Sequence, residues 1–559
     1  MSKVLVVGFD GATLDIADPM MDEGKLPNLA RIRKEGVSGT LLSTVPPNSS
    51  VAWSSCITGM NPGNHGVFYF RERKEGTYYR PFINYDSIRA RSVWRILSDA
   101  GKKVGVVNVP LTYPPEEVNG YLVGGLLTPG TDSNFTHPPE LHLDLIRALG
   151  NYPLDSESEK MFWRGGDEVG AFGHMLHTTR KVLDADLYLM DRFDWDFFMT
   201  VFRTVDLVQH RAWRLKIPEY REKHHVESMK YGGVIEMCYE MLDDFLGRLM
   251  SKAGEDTTVI VMSDHGCGPI EGRFYINRWL IDEGYLKLKP GSTLMADLMG
   301  IGGDQLDESK MFRGFDRFVR AFGRRALRYL RPSLLTRSMD RVYTSMIDWS
   351  KTRAFSSLSG GEEIVLINLK GREPQGTVQP GEEYERLRDE IIAGLENLRD
   401  PHGKKIVDKA YRREELYPGL YVENAPDIQF LTRDLSILPR GDFFVDSIYK
   451  DPFDHTPALH RENGIVFIKG HGLKEGVTVT DARIEDIAPT VIHMSGMPVP
   501  EEMDGKVLLD CFTEEFKKSN ELRFVKQQRS SKTDRPDKGY TADEEEEIRK
   551  TLQGLGYLS

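Results

Sequence analysis

Short runs dominated by apolar residues recur through the first half of the chain, and they constrain the fold more than any other feature. Lys3–Phe9 (KVLVVGF), Lys103–Val109 (KVGVVNV) and Thr257–Met262 (TTVIVM) share one style, and Trp195–Phe202 (WDFFMTVF) is a more aromatic version. A strand solvated on one face alternates apolar with polar residues, so near-continuous apolar runs imply burial on both faces. Amphipathic helical stretches such as Ser92–Ala100 separate the runs. The pattern predicts an α/β architecture built on a parallel sheet. Asp or His follows several runs closely, and in open α/β sheets ligands sit outside the carboxyl ends of the strands.

The 559 residues exceed one ordinary core, which predicts two or more structural units. A content of 40% hydrophobic and 28% charged residues is that of a soluble globular protein. With 73 Lys+Arg against 85 Asp+Glu the formal charge is -12, so no nucleic-acid partner is expected. The opening MSKVLVVGFDG reads as a buried strand and not as a signal peptide. No apolar segment of about 20 residues predicts a spanning helix. Cys56, Cys238, Cys267 and Cys511 are scattered, as free thiols in a reducing compartment would be, and a cytoplasmic location is the expectation.

The texture changes after about Ile276. Residues 290–345 hold a glycine-rich stretch and an arginine-rich helical pattern; residues 363–370 read as a strand and Glu382–Leu398 as a helix. The expected division is a catalytic core in two parts, 1–285 and 420–512, an inserted cap or accessory region at 286–419, and a linker with a C-terminal helix at 513–559. The strand-like runs Asp427–Leu431 and Gly464–Ile468 are expected to rejoin the first sheet. Lys517–Gly539 is polar, as a linker or surface arm would be. Thr541 and Glu544 form a capping box for a last helix carrying Ile548, Leu552 and Leu555 on one face.

Three places offer carboxylate and imidazole groups where strands could hold them rigidly, the donor types that zinc-like cations take. Asp10 follows the first run. Asp264 and His265 follow Thr257–Met262. Asp206 and His210 follow Phe197–Phe202, and a spacing of four puts both on one face of a helix. Each alone reads equally as a turn former, a helix cap or a surface pair. Their joint occurrence at predicted strand ends of one sheet points instead to a metal site.

These residues resemble the alkaline phosphatase superfamily, in its type I phosphodiesterase/nucleotide pyrophosphatase-like branch. Asp10 in GFDG matches that family's first metal-binding aspartate. Pro46–Trp53 (PPNSSVAW), followed by Thr58–Gly66 (TGMNPGNHG), is similar to its nucleophile segment, which places the nucleophile on Ser49 with Ser50 as the neighbouring alternative. Asp206 with His210 and Asp264 with His265 match the middle ligand pairs, and His460 in HRENGIVFIKG matches the last. His455 and His471 compete for that place but read as surface histidines, and His65 as a turn or supporting residue. The likeness covers 1–285 and roughly 420–510. It implies a mixed, mostly parallel sheet sandwiched by helices, with an inserted cap region. It implies two divalent ions, zinc in preference to manganese: Asp10, Ser49, Asp264 and His265 would hold one, and Asp206, His210 and His460 the other. The implied activity is hydrolysis of a phosphodiester or phosphomonoester on a small phosphorylated substrate. Ser49 attacks, a covalent seryl intermediate forms, and water activated at the second ion resolves it. One departure is Phe70, where pyrophosphatases of this kind carry a phosphate-binding asparagine; Arg71 and Arg73 are the nearby candidates to replace it.

The alternatives are a phosphoglycerate-mutase-like phosphomutase and a non-catalytic metal- or anion-binding protein of the same fold. A sulfatase reading fails because Cys267-Gly268-Pro269 continues without arginine. Outside the resemblance, Arg313, Arg317, Arg320, Arg324, Arg328 and Arg331 recur at helical steps beside Phe315, Val319, Phe322 and Leu330. That segment predicts an amphipathic helix whose basic stripe pairs with nearby acids, or faces an anion or an acidic membrane surface.

Overall fold

The structure is a computed structural model that describes residues 3–154, 168–299, 339–358, 360–452, 458–526 and 539–555. Nine strands form the main sheet: β1 (Val4–Phe9), β2 (Val37–Leu42), β3 (Val104–Val109), β4 (Gly120–Gly124), β5 (Thr136–His137), β6 (Phe197–Phe202), β7 (Thr258–Met262), β8 (Asn463–Lys469) and β9 (Val477–Arg483). Their order across the sheet is β9-β2-β8-β7-β1-β6-β3-β4-β5. The neighbours β7-β1-β6-β3-β4 and the pair β9-β2 run parallel, while β8 lies antiparallel to both β2 and β7, and β5 to β4. This is the mixed, mostly parallel sheet the apolar runs predict. Every residue of β1, β3, β6 and β7 is buried, because helices cover both faces. The run Gly464–Ile468 rejoins this sheet as β8.

Asp427–Leu431 does not. Ile428–Thr432 pairs antiparallel with Ile364–Ile367 and Val407–Arg412 in a separate four-stranded sheet, completed by Ala354–Phe355. An apolar strand specifies that it will be buried but not beside which partner; here Asp427 decides, its carboxylate accepting from Ile367 N at 2.7 Å and from Arg372. This sheet has its own apolar cluster, in which Trp279, Ile364, Leu387 and Phe430 pack together.

The expected helices form at Val93–Asp99 and Glu382–Glu396. The capping box is present: Thr541 N donates to Glu544 Oε2 and Glu544 N to Thr541 Oγ1, and Ile548 and Leu552 are fully buried. The four cysteines are free and buried. Among the described residues no helix is long and apolar enough to cross a membrane. The arginine-rich segment 313–331 and His455 lie outside the described residues.

Candidate metal centre

The adjacent strands β7, β1 and β6 deliver Asp264, Asp10 and Asp206 to one edge of the sheet. Asp10 directly follows β1, and its N–H donates to Phe202 O at the end of β6 (3.0 Å). Asp264 lies two residues beyond β7, and Asp206 sits in the first turn of helix α1 (Thr204–Ala212), which puts His210 one turn later. Two glycines make room. A Cβ on Gly11, whose φ is +73°, would fall 2.9 Å from Asp206 Cβ, and one on Gly8 would fall 2.6 Å from the Trp53 ring. That ring then reaches Asp10, Nε1 donating to Oδ2 at 3.0 Å. His460 arrives from the short strand Ala458–Arg461, which pairs with Gly266–Pro269 and lies opposite Cys267.

Ser49 is the first residue of the helix Ser49–Thr58. The Asn48 side chain caps that helix by accepting from Ser50 N (3.1 Å), and it also takes the Ser50 hydroxyl at 2.6 Å. Ser50 is thereby turned to Asn48, while Ser49 Oγ lies 3.0 Å from His265 Nε2. The structure thus brings together all seven residues singled out: Asp10, Ser49, Asp206, His210, Asp264, His265 and His460. His471 is exposed. His65 is buried elsewhere: its Nδ1 accepts from Val67 N, its Nε2 meets Ser55 Oγ at 2.9 Å, and burial pushes its pKa down to about 3. Arg71 and Arg73 lie along a separate cavity.

The three imidazoles of the cluster share one orientation. His210 Nδ1 faces Ala458 O (2.8 Å), His265 Nδ1 faces Gly266 O (3.0 Å) and His460 Nδ1 faces Pro47 O (2.7 Å). A carbonyl only accepts, so each Nδ1 carries a proton and each Nε2 lone pair points inward in the neutral ring. His210 Nε2 and His460 Nε2 are 3.0 Å apart, with Asp206 Oδ1 at 3.1 and 3.6 Å from them. His265 Nε2 lies 3.3 Å from Asp264 Oδ2 and 3.8 Å from Asp10 Oδ1. Asp10 Oδ1, both Asp206 oxygens and Asp264 Oδ2 are buried without a hydrogen bond. Buried carboxylate oxygens without donors are costly unless a cation lies among them.

The electrostatics agree. Burial, and then the neighbouring Asp206, push Asp10 up to about 6; burial, Asp10 and Asp206 push Asp264 well above the usual carboxylate range. Burial would raise Asp206 too, but positive charge on His210, and then on His460, outweighs it and holds Asp206 well below that range, a role that a cation takes over where the rings are neutral. Burial pushes His265 and His460 down to about 4. Three carboxylates in so small a volume ionise together only with added positive charge. The donor set of carboxylates, imidazoles and a hydroxyl fits cations of the zinc or manganese type. Asp206, His210 and His460 converge within reach of one ion, and Asp10, Asp206 and His265 within reach of another.

Sequence reasoning missed the groups that hold the ligands. Gln209 Nε2 donates to Gly11 O at 2.8 Å, and Gly11 N to Asp264 Oδ1 at 3.2 Å. Arg203, buried directly after β6, lies beside Asp10 across the β1–β6 pair, and its charge lowers the pKa values of Asp10 and His265. An arginine after an apolar run has many structural uses, so its type carries no signal of this one.

A family model described as type I phosphodiesterase / nucleotide pyrophosphatase matches residues 4–464. No curated protein sequence matches the chain. Among solved structures, phosphonoacetate hydrolase from Sinorhizobium meliloti 1021, in complex with phosphonoformate, aligns at 15% identity and a TM-score of 0.51, covering 87% of this chain and 94% of that one. Human ectonucleotide pyrophosphatase / phosphodiesterase 5 aligns at 13% identity and a TM-score of 0.50, covering 92% of this chain and all of that one (100%). At these identities the likeness is one of fold.

Proposed function

The chain belongs to the type I phosphodiesterase / nucleotide pyrophosphatase family and is a metal-dependent hydrolase of phosphoric ester bonds; on that premise we propose that Ser49 is its nucleophile, working at a two-cation centre. The observation that carries this reading is the set of four carboxylate oxygens, on Asp10, Asp206 and Asp264, buried without a hydrogen bond in the cluster where Ser49 Oγ lies 3.0 Å from His265 Nε2. We assign Asp10, Asp264, His265 and Ser49 to one ion and Asp206, His210 and His460 to the other, with zinc the metal that best suits these donors. Bound there, divalent ions supply Lewis acidity, lowering the pKa of a ligated hydroxyl or water and offsetting phosphoryl charge.

The protein's own part is orientation and charge. With its Nδ1 proton directed at Gly266 O, His265 holds its one Nε2 lone pair 3.0 Å from Ser49 Oγ, so an ion bound there would take both groups as ligands while the serine oxygen keeps a lone pair free to meet phosphorus. Ser49 also heads a helix, whose dipole puts a partial positive charge beside an anionic phosphoryl group. The Ser49 proton passes to solvent as the Oγ–P bond forms, the bond from phosphorus to the leaving alkoxide breaks, and that alkoxide takes a proton from solvent, giving a seryl ester. Water then adds to the same phosphorus, and the Oγ–P bond breaks to restore Ser49. Arg203 supplies positive charge beside Asp10 and His265.

Ser49→Ala tests the reading. Turnover of a nitrophenyl phosphodiester is expected to fall by at least about 10³-fold, with metal content held because six protein ligands remain. An active Ser49→Ala beside a dead Ser50→Ala overturns the assignment. A seryl ester trapped on Ser49 and identified by mass spectrometry separates hydrolysis through a covalent intermediate from direct attack by water.

A further inference from the structure

A cavity of about 650 Å³ opens between the loop 71–80 and the segments 341–345 and 355–358 that border the four-stranded sheet. Its size falls within the ~300–1,000 Å³ of small-molecule sites. None of the seven metal-centre residues lines it.

In a chain of net charge -12, its described lining holds four cations, Arg71, Lys74, Arg80 and Arg341, and no carboxylate. Two are fixed in place: the Arg71 guanidinium lies 4.5 Å over the Phe82 ring, and Arg80 pairs with Glu362 and donates to Arg71 O at 3.1 Å. Lys74 and Arg341 are exposed, and neither has a carboxylate within ion-pair distance among the described residues. Tyr78, Tyr79 and Phe355 add aromatic wall, with Tyr78 held by stacking on Trp349 at 3.6 Å and by donating to Asn368 Oδ1.

Ser356 gives an independent sign of a ligand. It lines the cavity at 1% exposure, yet its hydroxyl has no hydrogen-bond partner. The backbone beneath is rigid: Ser356 N donates to Asn277 Oδ1 (2.8 Å), and Asn277 Nδ2 donates to Ser357 O (2.9 Å). A buried hydroxyl without a partner is costly unless something fills the role. Converging cations, a waiting hydroxyl and aromatic walls suit an anion that carries a flat ring.

We propose that this cavity is a second binding site, separate from the metal centre, for a phosphorylated small molecule bearing a planar aromatic or heteroaromatic group. Phosphate sits among Lys74, Arg341 and the Ser356 hydroxyl, and the ring lies along Tyr78 and Tyr79. This goes beyond the hydrolytic reading and does not depend on it.

The test uses full-length, metal-loaded Ser49→Ala protein, so that ligand is not consumed, and calorimetric titration with adenosine monophosphate, phenyl phosphate, inorganic phosphate and adenosine. The expected result is a bound equivalent of adenosine monophosphate whose affinity falls at least about tenfold in Lys74→Glu/Arg341→Glu and severalfold in Ser356→Ala. Ser356→Ala keeps the test open if charge reversal disturbs folding. Phenyl phosphate should follow the nucleotide, whereas phosphate and adenosine should each bind this equivalent at least about tenfold more weakly. The proposal is overturned if no bound equivalent responds to either variant, or if adenosine binds as tightly as its phosphate. An inorganic phosphate as tight as the nucleotide would leave a plain anion site and remove the aromatic half of the proposal.

Discussion

Trp53 touches the candidate centre through a single hydrogen bond, Nε1 to Asp10 Oδ2, and owes its place to the missing Cβ of Gly8. Trp53→Phe keeps an aromatic ring there and removes the donor, so Asp10 loses the contact that aims its other oxygen at the cluster. Metal affinity measured by chelator competition is expected to weaken about 10–100-fold with the melting temperature of the loaded protein little changed; an unchanged affinity would show that Asp10 needs no such support. His460→Ala should lower the bound metal toward one ion per chain, because it removes one of the three groups that converge with Asp206 and His210. The exposed His471→Ala should leave the metal content alone, and elemental analysis of both proteins decides between them. Asp10, Asp264 and His265 are legible in sequence only together, because each alone reads as a turn former or cap and only their recurrence at strand ends of one sheet points to a site. Trp53, Arg203 and the carbonyls of Pro47 and Ala458 are not, since each acts through a neighbour brought in from a distant part of the chain.

At the scale of elements, the four-stranded sheet turns on Asp427. Arg372 donates to both its oxygens at 2.7 Å, Tyr384 Oη to one at 2.6 Å, and Arg413 lies 3.6 Å away. Burial alone would raise this carboxyl, but the Arg372 charge and hydrogen bonds, with Arg73 and Tyr384, hold it well below its ordinary 3.8. A folded-state pKa below the unfolded one adds stability above the unfolded value, and that stability drains away as pH falls through the folded one. Asp427→Asn takes one of Arg372's two counter-charges, leaving Glu373 at 3.0 Å, and should cost about 3 kcal/mol at neutral pH. Denaturant melts of the two proteins should converge as pH drops below 3.8. A constant difference across that range would mean that packing, not charge, accounts for the loss. The same segment shows where sequence reading stops. Its apolar run predicts a buried strand, and the strand forms, but in the second sheet, because partner choice rests on Asp427 meeting Ile367 and Arg372.

For the whole molecule, the candidate centre gathers residues from position 10 to position 460, so an ion bound there stabilises only the native arrangement. At a free metal concentration of 100 times Kd this linkage adds about 2.7 kcal/mol per site. Exhaustive chelation should therefore abolish turnover and lower the melting temperature together, and zinc or manganese should restore both. Full activity after complete metal removal would refute the two-cation reading. Retained stability alone would show that the cluster is held by the protein's own packing.

Local sequence determined a good deal: the apolar runs announced strands buried on both faces, the helical patterns between them announced covering layers, and the strand-end aspartates and histidines announced a polar edge. These are short-range properties, fixed by side-chain type and by periodicity. The tertiary structure alone decided the strand order, the antiparallel insertion of β8 between β2 and β7, and the inward aim of every Nε2. It also set Ser49 against His265 while Asn48 drew Ser50 aside, and it gathered four cations into a cavity in an acidic chain. Each of these depends on a contact between residues far apart in sequence or on one neighbour displacing another, and no local pattern encodes which of the available partners will arrive.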